Sequence, residues 1–208
     1  MNSTNEQTAK VTTPFPREGQ GGEVFVFLAE GFEDIEALAP VDIMRRAGLQ
    51  VETVSITDEI VVTSAHGVGI VADRTLAEID FDDAQLMFLP GGLPGATNLD
   101  ACAELRDALL AHHKKGGLIA AICAAPLVLG HLGLLSGHRS TCYPGFETEL
   151  TGADYTASLV EQDGQFITGK GPGAAFELGY VLVERLVGKA VADQLREGMM
   201  YNFLMKNS

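Results

Sequence analysis

The run Gly117-Leu118-Ile119-Ala120-Ala121-Ile122-Cys123-Ala124-Ala125-Pro126 limits what this chain can become more than any other stretch. A short apolar segment, preceded by Gly116-Gly117 and ended by a cysteine, fits a strand buried on both faces of a parallel sheet. Pro126-Leu127-Val128-Leu129-Gly130 then predicts a helix, with proline in its first turn, where a missing N–H costs nothing. Ala124 and Ala125 are small enough to let the backbone turn sharply. This layout is a nucleophile elbow, which lifts a reactive side chain onto a strained strand-to-helix turn. A helix N-terminus favours negative charge, so the position predicts a Cys123 thiol that titrates below its ordinary value of about 8.5. Taken alone, the stretch fits a small buried hydrophobe as well.

The rest of the chain repeats the strand-then-helix rhythm. Val24-Phe25-Val26-Phe27-Leu28-Ala29 reads as a buried strand, followed by a helix from Glu33-Asp34 to about Ala47, with Gly48 as its stop. Val51 to Ile56 is a second strand, and this βαβ order predicts a parallel sheet. A hairpin is expected around Ser64-Ala65-His66 and another around Asp163-Gly164. Leu86-Met87-Phe88-Leu89 reads as a strand that ends in Pro90-Gly91-Gly92. A helix over about 101–115 leads into the Cys123 strand, and Arg139 to Tyr143 reads as a strand stopped by Pro144. Two helices close the chain after Gly171-Pro172-Gly173, one to about Val187 and one from about Lys189. The fold class expected is α/β: a flavodoxin-like, doubly wound, mostly parallel sheet with helices on both faces.

Residues 1–22, rich in Thr, Gln, Pro and Gly without apolar periodicity, predict a mobile tail ahead of one domain over 23–208. The tail lacks the apolar core of a secretion signal. With 46% apolar residues in 208 there is ample material for a core, and no run approaches a membrane span. The net charge of −14 argues against nucleic acid and anionic membranes as partners. Three cysteines make no disulfide framework, so a reducing, cytoplasmic setting is expected.

Ligands of doubly wound sheets gather at the carboxyl ends of the strands. Glycines 91 and 92 allow close approach of backbone N–H groups, which would make an oxyanion site beside Cys123, although a Pro-Gly-Gly turn also simply reverses a chain. Glu36 sits in the apolar setting Ile35-Glu36-Ala37-Leu38-Ala39-Pro40-Val41, whereas Glu33 and Asp34 read as solvated first-turn acids. A carboxyl in an apolar pocket has a raised pKa and, while protonated, can donate to a thiolate or shuttle a proton to a carbonyl oxygen.

These stretches resemble the ThiJ/PfpI family. Ala29 to Glu36, Pro40 to Gly48, Leu89 to Gly92, Gly95 to Leu99, Ala120 to Pro126 and Gly171 to Gly173 match it in order, over about residues 23–203. Within it the chain is similar to the subgroup of the parkinsonism-associated deglycase and YajL. The resemblance implies that Cys123 is the reactive, oxidation-prone cysteine and Glu36 its protonated partner, with the N–H groups of Gly92 and Ala124 facing the sulfur. It implies a homodimer, no cofactor, and glyoxalase, deglycase or redox-regulated chaperone activity on small aldehydes or glycated substrates. Proteolysis and thiazole biosynthesis belong to other branches or older names. Tyr143 stands where the best-known member has histidine. It is a candidate substrate contact together with Gly91, and Cys142 reads either as a strand residue packing inward or as a resolving thiol.

A cysteine–histidine hydrolase needs a histidine beside the thiol. Ala124 fills the slot where the protease branch has one, which leaves His66 as the reserve base. A glutamine amidotransferase would need a downstream His/Glu pair, and none is evident. No His/Cys cluster has metal-ligand spacing, and no glycine-rich loop matches a phosphate-binding pattern. Two readings remain. One is an enzyme acting on 2-oxoaldehydes such as methylglyoxal; the other is a redox sensor whose Cys123 is oxidised.

Overall fold

A computed structural model describes residues 22–206. The expected tail therefore lies almost wholly outside the described residues, and Gly22 is already packed, since a Cβ there would meet the Asp83 carbonyl oxygen at 2.6 Å.

The elements in order are β1 (Glu23–Leu28), α1 (Asp34–Arg46), β2 (Val51–Ser55), β3 (Val61–Thr63), β4 (Gly69–Val71), β5 (Arg74–Thr75) and β6 (Ala84–Leu89). There follow α2 (Gly95–Ala101), α3 (Ala103–Lys114), β7 (Leu118–Ile122), α4 (Pro126–His131), β8 (Arg139–Ser140) and β9 (Asp154–Tyr155). The chain closes with β10 (Val160–Asp163), β11 (Phe166–Gly169), α5 (Ala175–Leu186), α6 (Lys189–Gly198) and α7 (Tyr201–Lys206). The central sheet runs β10-β11-β7-β6-β1-β2-β5 and is parallel except for β10. Two small ladders, β3-β4 and β8-β9, lie outside it.

Continuous apolar strands result because helices cover both sheet faces. Val24, Val26 and Leu28 pack into one core layer with Ile43, Met44 and Leu182, whereas Phe25, Phe27 and Ala29 pack into the other with Leu99, Leu105 and Leu109. This period-2 division repeats in β6 and β7. Glu33 caps α1 by accepting the Glu36 N–H at 2.7 Å.

Several expectations need correction. The helix expected over about 101–115 is α3, but a further helix, α2, precedes it and was not expected; the two are parted at Cys102, whose ψ of 100° is extended. The strand expected over Arg139–Tyr143 stops at Ser140, because the Thr141 N–H turns to the Thr168 hydroxyl instead of a ladder carbonyl. Cys142 is thus buried in irregular chain. β5 and α7 were not expected.

Candidate active site

Order along the sheet reverses at β1, whose neighbours are β2 on one side and β6 on the other, so the loops after β1 and β6 part and leave a crevice. Three chain segments meet there: α1 entered from β1, the turn after β6, and the turn after β7.

Cys123 terminates β7 with φ +65°, the left-handed region that a residue with a Cβ rarely adopts. Its N–H donates to the Gly169 carbonyl at 2.9 Å, its carbonyl accepts from Tyr143 N–H at 2.8 Å, and Ala125 N–H closes on Ile122 at 3.0 Å. The elbow is therefore held from both flanks. The side chain is buried, and the N–H groups of Gly92 and Ala124 lie against the sulfur.

Glu36 lies in the first turn of α1 with its side chain fully buried. Its Oε2 accepts the Gly91 N–H at 3.0 Å, its Oε1 has no hydrogen-bond partner, and the carboxyl meets the Cys123 thiol. Gly91 makes this contact possible. A Cβ there would lie 2.5 Å from Glu36 Oε2 and 2.6 Å from the Cys123 Cβ. Gly92 has φ +92°, and a Cβ on it would meet Glu33 N at 2.4 Å.

The electrostatics correct the expectation of a lowered thiol pKa. Burial first, then the Glu36 carboxylate, push the Cys123 thiol up, and the Ala124 and Gly92 N–H groups only partly oppose them. A helix of six residues begun three positions later contributes too little field to win. Burial also pushes the Glu36 carboxyl up to about 7, with the thiol hydrogen bond opposing and the charge of Glu33 adding to the rise. The two groups share their protons. Loss of the first leaves one proton between carboxyl and sulfur, and that ionisation belongs to the pair.

Glu33 is the residue sequence reasoning undervalued. It is a buried cap whose charge acts on Glu36, signalled by an acid three positions ahead of another acid at a helix start. Asp34 is likewise no free surface acid, since it bonds His66 Nδ1 at 2.6 Å. That bond raises the His66 pKa and turns the reserve base toward Asp34. Among the described residues, Glu33, Asp34 and His66 bring one donor atom each within 4.8 Å of one another. The cap uses Glu33 Oε2 and the His66 pair uses Asp34 Oδ2, while Asp34 Oδ1 is buried without a hydrogen-bond partner. Tyr143 is half exposed, its ring against Gly171. Cys142 is free and buried in the opposite core layer from Cys123, its thiol pushed up to about 12, first by burial. Packing, not service as a resolving thiol, is what this position supports.

The fold and the elbow define a class: a doubly wound α/β protein with a buried cysteine at the carboxyl edge of its sheet, touched by a buried carboxyl. The chain belongs to the DJ-1/PfpI family, whose family model matches residues 22–185. It is 40% identical over 175 residues to Protein DJ-1 homolog B of Arabidopsis thaliana, a match covering 83% of this chain and 40% of that protein. The chain thus spans less than half the length of that relative. It is 36% identical over 168 residues to Glutathione-independent glyoxalase DJR-1.2 of Caenorhabditis elegans, covering 80% of this chain and 89% of that one. The crystal structure of Drosophila melanogaster DJ-1beta superposes with a TM-score of 0.83 at 35% identity, over 86% of this chain and 98% of that one.

Proposed function

We propose that this protein is a cofactor-free glyoxalase or deglycase that acts on 2-oxoaldehydes such as methylglyoxal, or on their adducts, through Cys123. The observation that carries the reading is the buried Glu36 carboxyl in contact with the Cys123 thiol, with one oxygen left unbonded. In the singly ionised pair, the proton passes to Glu36 as sulfur adds to the aldehyde carbon, and Glu36 hands it on to the hemithioacetal oxygen, which leaves Glu36 as a carboxylate. The Gly92 and Ala124 N–H groups stabilise charge at the sulfur. Glu36 then removes the proton on that carbon, giving an enediol, and a proton returns to the neighbouring carbon. The aldehyde carbon is oxidised to a thioester and the ketone carbon reduced to an alcohol, so no external electron carrier is needed. Water cleaves the thioester, releasing a 2-hydroxy acid and the thiol. The C. elegans relative's name supports this reaction type.

Lactate formation from methylglyoxal tests the reading. Wild type should turn over, Cys123→Ser should fall by at least about 10³-fold, and kcat/KM should rise with pH through about 7 as the pair loses its first proton. Equal lactate formation by both proteins would end it. The cradle of N–H groups about Cys123 also favours a second reading, in which the Cys123 thiolate attacks a peroxide, takes one oxygen as the O–O bond breaks and water or an alcohol leaves, and Glu36 and these groups hold the resulting oxyacid, with turnover incidental. A homodimer in a reducing, cytoplasmic compartment completes the proposal; three free cysteines suit that compartment. No helix among the described residues is long and apolar enough to cross a membrane.

A further inference from the structure

Beside the elbow runs a groove of about 260 Å³ lined by Tyr143, Pro144, Leu159, Lys170 and Pro172 among others. It adjoins the thiol's own backbone. Tyr143 donates its N–H to the Cys123 carbonyl at 2.8 Å, and Gly169, the residue before Lys170, accepts the Cys123 N–H at 2.9 Å. The Tyr143 ring crosses Gly171, where a Cβ would meet Cδ2 at 3.1 Å.

The far wall is held in shape. The Leu159 carbonyl accepts the Lys170 N–H at 2.9 Å, Lys170 Nζ donates to the Ala157 carbonyl at 2.9 Å, and Thr141 Oγ1 donates to the Ser158 carbonyl at 2.7 Å. Between these anchors Ala157 is kept at φ +57°, a conformation that costs energy for a residue with a Cβ and persists only when its surroundings impose it. Two large side chains of the lining are half exposed, Tyr143 at 46% and Leu159 at 49%. Methyl, the substituent of methylglyoxal, is about the size of a water molecule, about 30 Å³, and leaves most of this groove empty.

We propose that the groove receives the substituent of the 2-oxoaldehyde, and that the preferred substrates carry a flat apolar group there, an aryl ring and not a methyl. This rests on the reaction proposed above. The substituent takes no part in the bond changes, so the electron balance is the same. Its ring leaves water for contact with Leu159, the two prolines and the face of Tyr143. The Lys170 ammonium, tied to Ala157, keeps the wall in place.

The test compares kcat/KM for phenylglyoxal and methylglyoxal in wild type and Leu159→Ser. Wild type should prefer phenylglyoxal by at least about tenfold; Leu159→Ser should lose about five- to tenfold on phenylglyoxal and stay within about twofold on methylglyoxal. Absence of the preference, or equal losses on both substrates, overturns the proposal. A second readout needs no turnover: Cys123 should be alkylated faster by N-benzyl-iodoacetamide than by iodoacetamide, by mass spectrometry of its peptide, and Leu159→Ser should shrink that advantage. If the benzyl advantage appears without turnover of either aldehyde, the reaction fails and the aryl site stands. Turnover with neither selectivity refutes the groove alone, and absence of both refutes the two together.

Discussion

At Gly91 and Glu36, single atoms decide whether the site can exist. The missing Cβ of Gly91 is the space in which the Glu36 carboxyl reaches the Cys123 side chain. Gly91→Ala should therefore cost at least about 100-fold in kcat/KM for methylglyoxal, because it pushes apart groups that must be positioned within fractions of an ångström. It should also lower stability by about 1–3 kcal/mol, both read from purified variant and wild type. Glu36 makes a second prediction. Its folded value near 7 lies above the ordinary 4.5, so between those values the folded state holds more protons than the unfolded one. Stability then falls as pH rises through that window, by up to ~3 kcal/mol for a shift of this size. Glu36→Gln cannot titrate. Urea unfolding at pH 5 and pH 8 should show the variant gaining on wild type at the higher pH, and a gap independent of pH would contradict the raised carboxyl. That Glu36 and Cys123 were candidates was legible in sequence, from an acid in an apolar run and a cysteine at a strand end. The sign of the thiol shift was not, because burial and the distance to Glu36 depend on segments far apart in sequence.

At the scale of elements, α4 is held by more than its own six residues. His131 at its end bonds Asp100 of α2 through Nδ1 at 2.8 Å and Glu149 through Nε2 at 2.9 Å. Both ring nitrogens face carboxylates, so only the imidazolium donates to both. The Glu149 bond, then the Asp100 bond, raise its folded pKa above 6.5. The stabilisation is complete below about 6.5 and is lost as pH climbs through the raised value. The melting-temperature gap between wild type and His131→Gln should accordingly be widest near pH 6 and close by pH 9, whereas a constant gap would assign His131 to packing alone. Sequence periodicity found α1, α5, α6 and the main strands because each carries a run of apolar residues. It missed α2, and β5, a two-residue strand that exists only by pairing with β2.

For the whole molecule, Ile35, Leu38, Ala39, Val41, Ile43 and Met44 make α1 apolar on most sides, and a helix of that kind needs cover on more than one face. The structure supplies that cover within the chain: α5 lies against α1 so closely that a Cβ on Gly179 would sit 2.7 Å from Ile43 Cδ1. Among the apolar side chains that stay exposed are Ile35 at the start of α1, and Val61, Val68 and Val71 of the hairpin. The homodimer is proposed on that surface and on the family resemblance, and light scattering at micromolar concentration should give twice the mass of the chain. A monomer mass would refute it. The charge of −14 keeps any such assembly soluble without specifying it.

What the sequence determined by itself was whatever is written locally: apolar runs long enough for strands buried on two faces, helix starts and stops, and an elbow between β7 and α4. Those follow from period, chain stiffness and backbone hydrogen bonding, which act over a few residues. Only tertiary structure decided which loops met at the sheet's carboxyl edge, that Gly91 leaves room for Glu36 against Cys123, and which face of α1 is covered. It also decided the protonation of the site, since burial and the spacing of two charges are properties of the packed chain and not of any segment within it.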